Sequence, residues 1–452
     1  MVEKLSNVSS ALGLAGAYTR FLMEESVMRK RKTEKFLVSE LAVVLLLAIM
    51  VGLTLSTPTT AADKPPIKVG IVYPISGVMG TIAIPAYKAH ILAMSEINAK
   101  GGLLGGRKFE WVVRDSLGKP ENETRYCREM LVSENVDVLH AGFGSSLGLA
   151  ASAVVQEVKK GTAFLEGGKT SKLRIENFNQ RVFFGEQEDI PEARGMAKVL
   201  CEFGPLKDIK KPKVYFLSWD YEYGRSLYKW FVPELKKYRP DVEILESWTK
   251  VGESDYTPYL SLIAAAKPDV VVTTIWGGGM PSFLKQAKAY GLWDITKLFA
   301  STEVVGVEYL REVGELFPLG TWANVMELPD LPGNEGQKKY WEAYRKMFNE
   351  DPGAFGVRNY FMTYLLSKAI EDAGSVDPEK LIPALQNAEI DTFLGKVTMR
   401  KVNHQMMTGM YWGPLIQANA PYQRTMDQTK AFWLPDIDVS LTDKEILELR
   451  GK

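Results

Sequence analysis

Residues 136–173 read VDVLHAGFGSSLGLAASAVVQEVKKGTAFLEGGKTSKL, and their pattern decides the fold class. A short apolar run, 136–139, ends in Ala141-Gly142-Phe143-Gly144-Ser145-Ser146. An Ala-rich helical pattern follows over 147–159. A second apolar run, 163–165, ends in Gly167-Gly168-Lys169-Thr170-Ser171. Short apolar runs bounded by glycine, on either side of a longer helical segment, read as strand, helix, strand. A helical crossover makes the two strands parallel, so the loops after them open onto one crevice. The glycines let backbone N–H groups approach a ligand closely. Ser145, Ser146 and Thr170 offer hydroxyls, and a helix starting near Ser146 brings partial positive charge suited to a carboxylate or phosphate. The stretch predicts a crevice that holds a small polar ligand.

The same alternation runs outward in both directions. Strand 67–73 ends in Pro74-Ile75-Ser76-Gly77, and helix 82–99 stops at the paired glycines of 101–106. Strand 108–115, helix 121–135 and, beyond the opening stretch, strand 181–185 complete a first series. A second series has strands at 213–218, 242–248, 269–275 and 298–300, alternating with helices at 223–238, 256–266 and 278–290. Such repetition predicts parallel sheets covered on both faces, hence an α/β protein of two Rossmann-like lobes. The segment 186–192 is one expected crossing between lobes, and the Pro/Gly-rich 326–336 a second. Helices at 336–348 and 355–374, strand 394–399, a polar turn at 402–408 and strand 411–417 follow, and 425–452 is mixed. The expected division is 63–186 with 330–400 as the first lobe and 187–329 with 401–452 as the second.

The chain has 452 residues, 46% apolar and 24% charged, with zero formal net charge, which argues against a nucleic-acid partner. Cys127 and Cys201 lie in helical patterns and read as free thiols rather than a bridge. Residues 1–62 read as an N-terminal extension and export signal. A basic segment, 29–35, precedes an uncharged apolar run, 41–55, and a small-residue site, 56–62. This predicts an extracytoplasmic location, with Met28 as the functional start. An uncleaved membrane anchor beginning at Phe36 is the alternative.

Catalytic readings are weaker. Gly144-Ser145-Ser146-Leu147-Gly148 formally matches G-x-S-x-G, so a secreted α/β-hydrolase with Ser146 as nucleophile and His404 as base is a rival reading. A second complete α/β series has no place in that fold. Gly168-Lys169-Thr170 ends like a P-loop but has Ala163 where the leading glycine belongs. His90 and His140 read as packing residues, His404 as fixing a crossing loop, and the three show no metal-ligand spacing. No metal and no cofactor is expected.

Several pieces in order carry a family resemblance. They are residues 68–77 (KVGIVYPISG), 96–102 (EINAKGG), Gly144-Ser145-Ser146 before a helix, 220–224 (DYEYG) and Asn403-His404-Gln405. The chain from about 67 to 417 resembles the branched-chain amino-acid binding proteins of ABC transporters, the Leu/Ile/Val-binding type. That resemblance implies a type I periplasmic binding fold, two α/β lobes joined by a three-crossing hinge, with no catalysis. It implies a small amino acid or related carboxylate or amide as ligand and a membrane permease as partner. A ligand-sensing component of a signalling receptor is a further alternative. By position, the resemblance implies that Ser145 and Thr170, with Ser146 and the Gly168 backbone alongside, hold the ligand's carboxylate and ammonium. Tyr223 closes from the other lobe, Glu303 pairs with the ammonium, and a further aromatic falls at or beside Trp276. Tyr73 and Phe143 are candidate walls. The family's early disulfide has no cysteines here. Lys169 is the departure: if it, rather than Thr170, faces the crevice, the site is more positive and an acidic ligand is favoured.

Overall fold

The computed structural model describes residues 64–329 and 335–451. The export signal and possible anchor expected in 1–62 lie outside them. Among the described residues, no helix is long and apolar enough to cross a membrane.

The strands are β1 (Ile67–Tyr73), β2 (Phe109–Asp115), β3 (Val138–Ala141), β4 (Thr162–Leu165), β5 (Val182–Phe184), β6 (Lys213–Trp219), β7 (Glu243–Thr249) and β8 (Val270–Thr273). They continue with β9 (Lys297–Ala300), β10 (Trp322–Val325), β11 (Glu389–Thr392), β12 (Gly395–Arg400), β13 (Gln405–Met407), β14 (Gly409–Gln417), β15 (Arg424–Met426) and β16 (Phe432–Pro435). The first helices are α1 (Gly80–Ala99), α2 (Pro120–Val132), α3 (Ser145–Val158), α4 (Asp189–Lys198), α5 (Glu222–Tyr238), α6 (Thr257–Ala266) and α7 (Gly279–Ala289). After them come α8 (Val307–Val313), α9 (Glu335–Phe348), α10 (Gly356–Ala373), α11 (Pro378–Leu385), α12 (Asp436–Val439) and α13 (Asp443–Arg450).

Two sheets form. The first runs β11-β12-β13-β5-β4-β3-β1-β2, the second β15-β14-β10-β9-β8-β6-β7, with β16 added on β14. Central strands β3, β4 and β8 are buried at every position, because helices cover both faces, so they are largely apolar, with His140, Thr162 and Thr273 as their polar members. Edge strand β7 leaves Glu243 and Glu246 exposed. In the first sheet β1 pairs in parallel with both β2 and β3; in the second β6 pairs in parallel with both β7 and β8. Each sheet therefore reverses its winding direction near one edge, between β1 and β3 in the first and between β6 and β8 in the second, and the strand C-termini beside that switch leave a crevice.

The chain crosses between sheets after β5, after β10 and at Thr408. The third crossing corrects the expected division at 400/401. The supposed polar turn at 402–408 contains β13, which pairs with β12 and, through Gln405 opposite Phe184, with β5. Its polarity misleads because those polar groups satisfy buried crossing backbone. Gln405 Nε2 donates to the Glu186 carbonyl at 2.7 Å, and its Oε1 accepts from Arg174 Nε at 2.8 Å. The expected crossing at 186–192 is also shorter than read, since α4 begins at Asp189. The last segment does not belong to the second lobe alone. In α13, Ile446 clusters with Ile175 and Ile190, and Arg450 donates to the Arg174 carbonyl while its guanidinium sits 3.6 Å from the Phe178 ring centroid. Cys127 and Cys201 are free thiols.

Candidate functional site

The crevices of the two sheets face each other. Phe143 and Gly144 follow β3, Gly167 and Lys169 follow β4, and Ile82 lies in the helix after β1. Opposite them, Tyr221 and Tyr223 follow β6, Trp276 follows β8 and Thr302 follows β9, with Phe355 just before α10. These ten residues line one cleft with a cavity of about 20 Å³. A larger surface groove of about 910 Å³ lies against α1 and α10, lined by Tyr340, Tyr360 and Tyr364. It is away from both switch points, so the inter-lobe cleft is the site the topology builds.

Close backbone approach shapes the first-lobe wall. A Cβ on Gly167 would lie 2.5 Å from the Gly144 nitrogen, so the loops after β3 and β4 touch only because Gly167 lacks a side chain. Ser145 Oγ accepts from the Thr170 N–H at 3.2 Å and ties the same two loops together. Across the cleft, the Gly278 N–H donates to the Val78 carbonyl at 2.9 Å. Gly277 sits at φ +54, where any side chain would strike that carbonyl.

The ionic centre is Lys169 and Glu192. Lys169 Nζ lies 3.1 Å from Glu192 Oε2, and both side chains are buried. The ammonium also sits 5.6 Å from the Tyr223 ring centroid and 5.7 Å from that of Phe355, in cation–π range. Glu192 accepts from Tyr223 Oη at 2.8 Å, Ser301 Oγ at 2.5 Å and the Thr302 N–H at 3.0 Å. Burial alone would raise its pKa, but Lys169 and these donors outweigh that and hold the carboxyl below its ordinary range. Trp276 Nε1 donates to Tyr221 Oη at 2.5 Å and locks the second-lobe aromatic wall.

The structure brings Phe143, Lys169, Tyr223 and Trp276 to the cleft. It places the other candidates elsewhere. Thr170 Oγ1 donates to Glu222 Oε1 across the lobes at 3.0 Å, while its hydroxyl accepts from the Lys172 N–H of a short helical turn. Lys169, not Thr170, faces the cleft. Ser145 positions the loops; Ser146, in the first turn of α3, is half-buried beyond the lining. Gly168 presents its carbonyl to Arg174 Nη1 at 2.5 Å rather than to the cleft, and Gly167 takes the lining position. Tyr73 is buried behind Phe143, their ring centroids 5.2 Å apart.

Glu303 is turned into the hinge. Arg358 Nη1, from α10, donates to Glu303 Oε1 and to Glu186 Oε2, each at 2.8 Å, and all three side chains are fully buried. Burial raises Glu186 to about 7 against the pull of Arg358, and Glu303 is raised for the same reason. The acid at the cleft is Glu192, which the sequence reading placed in a connection. Tyr221, Thr302, Phe355 and Ile82 were also missed; Tyr221 alone had a signal, its place in the 220–224 motif. His404 fixes the crossing as expected, with Nδ1 against the Val182 carbonyl and Nε2 against Gln386. With both ring nitrogens engaged there, it offers no base to Ser146. The histidines are not all scattered, however. The rings of His90 and His140 lie 4.0 Å apart beside Glu166, which corrects the expectation of no metal-ligand grouping.

Residues 66–419 match the family described as periplasmic binding protein. The chain is 22% identical over 359 residues to the Leu/Ile/Val-binding protein homolog 4 of Brucella abortus, covering 76% of this chain and 82% of that relative. Its fold is similar to the solute binding protein of an ABC transporter from Rhodopseudomonas palustris BisB5 in complex with 3,4-dihydroxybenzoic acid. There the TM-score is 0.72 at 21% identity, covering 82% of this chain and 97% of that one. It is also similar to the closed leucine-, isoleucine-, valine-, threonine- and alanine-binding protein of Brucella ovis, with TM-score 0.70 at 18% identity, covering 84% and 97%. Two switch-point crevices closed on each other across a three-crossing hinge are the architecture of these proteins, and the chain belongs to the periplasmic binding protein family.

Proposed function

We propose that the protein is the extracytoplasmic solute-binding component of an ABC importer. It takes a small amino acid or related carboxylate between its lobes and hands it to a membrane permease. The observation that carries the ligand class is the buried Lys169–Glu192 pair ringed by aromatic side chains. A solute that enters as the lobes open meets one fixed cation on the first lobe and one fixed anion on the second. An α-amino acid matches both, its carboxylate on Lys169 and its ammonium on Glu192, Tyr223 Oη and Thr302. Its side chain lies among Phe143, Trp276 and Phe355. Lobe closure then removes water and strengthens each contact.

The five rings of the lining support a second reading, an aromatic carboxylate that uses Lys169 alone and leaves Glu192 with its own-lobe donors. The Rhodopseudomonas neighbour's complex with 3,4-dihydroxybenzoic acid favours it. Calorimetric titration with branched-chain amino acids and with hydroxybenzoates, on wild type, Lys169→Met and Glu192→Gln, separates the two. Lys169→Met weakens binding by about 2–5 kcal/mol in either case. Glu192→Gln costs an amino acid about 1–3 kcal/mol and changes a benzoate little. Full affinity for a carboxylate in Lys169→Met removes this site assignment.

A further inference from the structure

We propose that His90, His140, Glu166 and Tyr73 form a binding site for a divalent transition-metal ion of the zinc class, beneath the cleft floor of the first lobe. The four side chains come from separate elements: Tyr73 ends β1, His90 lies in α1, His140 in β3, and Glu166 directly follows β4. All four are fully buried. His140 Nδ1 lies 2.6 Å from Glu166 Oε1, His90 Nε2 lies 3.5 Å from the same oxygen, and Tyr73 Oη lies 3.1 Å from His90 Nε2. Tetrahedral ligands around zinc stand roughly 3.3 Å from one another, from bonds of about 2.0–2.1 Å. Small outward shifts would therefore admit the ion.

The hydrogen bonds prepare His90 to be a ligand. Thr363 Oγ1 donates to the Asn359 carbonyl at 3.0 Å, so its lone pair is what meets His90 Nδ1 at 2.8 Å. That makes Nδ1 the protonated nitrogen and turns the Nε2 lone pair, which also meets the Tyr73 hydroxyl at 3.1 Å, toward Glu166 and Tyr73. An outer hydrogen bond that fixes the tautomer in this way is how metal-binding histidines are held. Protein groups do not close the cluster. Glu166 Oε2 and His140 Nε2 are both buried with no hydrogen-bond partner. A bound cation would satisfy the carboxylate and join the ends of β1, β3 and β4, the frame that presents Phe143, Gly144, Gly167 and Lys169.

The test uses the full chain without a polyhistidine tag, stripped with EDTA, reloaded with Zn²⁺ or Co²⁺ and passed through gel filtration. The expected result is retention of about one ion per chain, with a higher melting temperature and, for Co²⁺, the intense visible bands of a low-coordinate site. His140→Gln and Glu166→Gln should lose ion and bands together. Tyr73→Phe, which keeps the ring packing, serves if those variants misfold; it should shift the Co²⁺ bands. Wild type that retains no ion overturns the proposal. So does equal retention in folded variants, which would mean an adventitious ion only, or an unshifted spectrum in Tyr73→Phe.

Discussion

Two buried ion clusters span the lobes, and they are built on opposite principles. In the cleft, one cation meets one anion, and Glu192 has three further donors, so its charged form is favoured. In the hinge, one guanidinium serves two carboxylates, and Glu186 Oε1 and Glu303 Oε2 are left without partners. The cleft pair can be parted by a ligand that replaces each charge with its own. The hinge triad has no such substitute, because no solute reaches it. The proposed function places affinity in the first cluster and the geometry of closure in the second.

The largest effect that would break this contrast is at Arg358. Arg358→Met strands two carboxylates in a site with no exposure. Removing one member of a buried ion network costs about 3–5 kcal/mol. Urea unfolding should show that loss, and adding Glu303→Gln should recover part of it by removing one stranded charge. An Arg358→Met protein as stable as wild type would mean the triad is already neutral.

Next is Lys169→Met. It strands only Glu192, which keeps Ser301, Thr302 and Tyr223, so stability should fall less than in Arg358→Met. Ligand affinity should fall more, by about 2–5 kcal/mol, the range for truncating a desolvated charge partner. If stability and affinity fall together by equal amounts in both variants, the two clusters are not functionally distinct.

How these residues stood in the sequence follows from how each is placed. Local spacing was enough for the strand–helix alternation and the loops at 142–146 and 167–171, because each lies within a turn of its own strand end; the aromatic after β6, Tyr223, came from the family resemblance. The cleft acid was not legible. Glu192 meets Ser301 and Thr302 from more than a hundred positions away, and nothing in the short helix around it marks that encounter. Lys169 and Thr170 could not be told apart by position, since the helical turn at 171–173 draws Thr170 away as a cap. Arg358 lies inside a largely buried helix, where its role is set by two acids from other segments. Glu303 looked like a ligand acid because it follows a strand as such an acid would, and only Arg358 reveals why it faces inward.

Changing pH sharpens the contrast without mutation. Burial raises Glu186, Glu188, Glu308 and Glu327 to about 7 and Asp189 to about 6, all from values of 4.5 or below. The folded chain therefore holds more protons than the unfolded chain between these limits. Their contribution to stability is complete below the unfolded values and is lost as pH rises through about 7, so melting temperature should fall by several degrees from about pH 5 to pH 8. Glu192 has the opposite sign: its contribution is present above the ordinary carboxyl range and lost only when pH drops below it. Affinity should accordingly stay level over the interval in which stability declines. Parallel decline of both would show that hinge protonation, not the cleft pair, governs binding.

The smallest expected effect isolates one hydrogen. Tyr223 Oη lies 2.8 Å from Glu192 Oε2 and 2.8 Å from Thr302 Oγ1, while its ring sits beneath the Lys169 ammonium. Tyr223→Phe keeps the ring and its cation–π contact and removes only the hydroxyl. Glu192 retains Lys169, Ser301 and Thr302, so stability should change little. An amino acid whose ammonium sits on Glu192 should lose about 1 kcal/mol of affinity, the net worth of one hydrogen bond. A benzoate held by Lys169 and the ring should lose almost none. The hydroxyl thus tests whether the second lobe contributes a charge to the ligand or only a wall, and a benzoate loss equal to the amino-acid loss would assign it the wall.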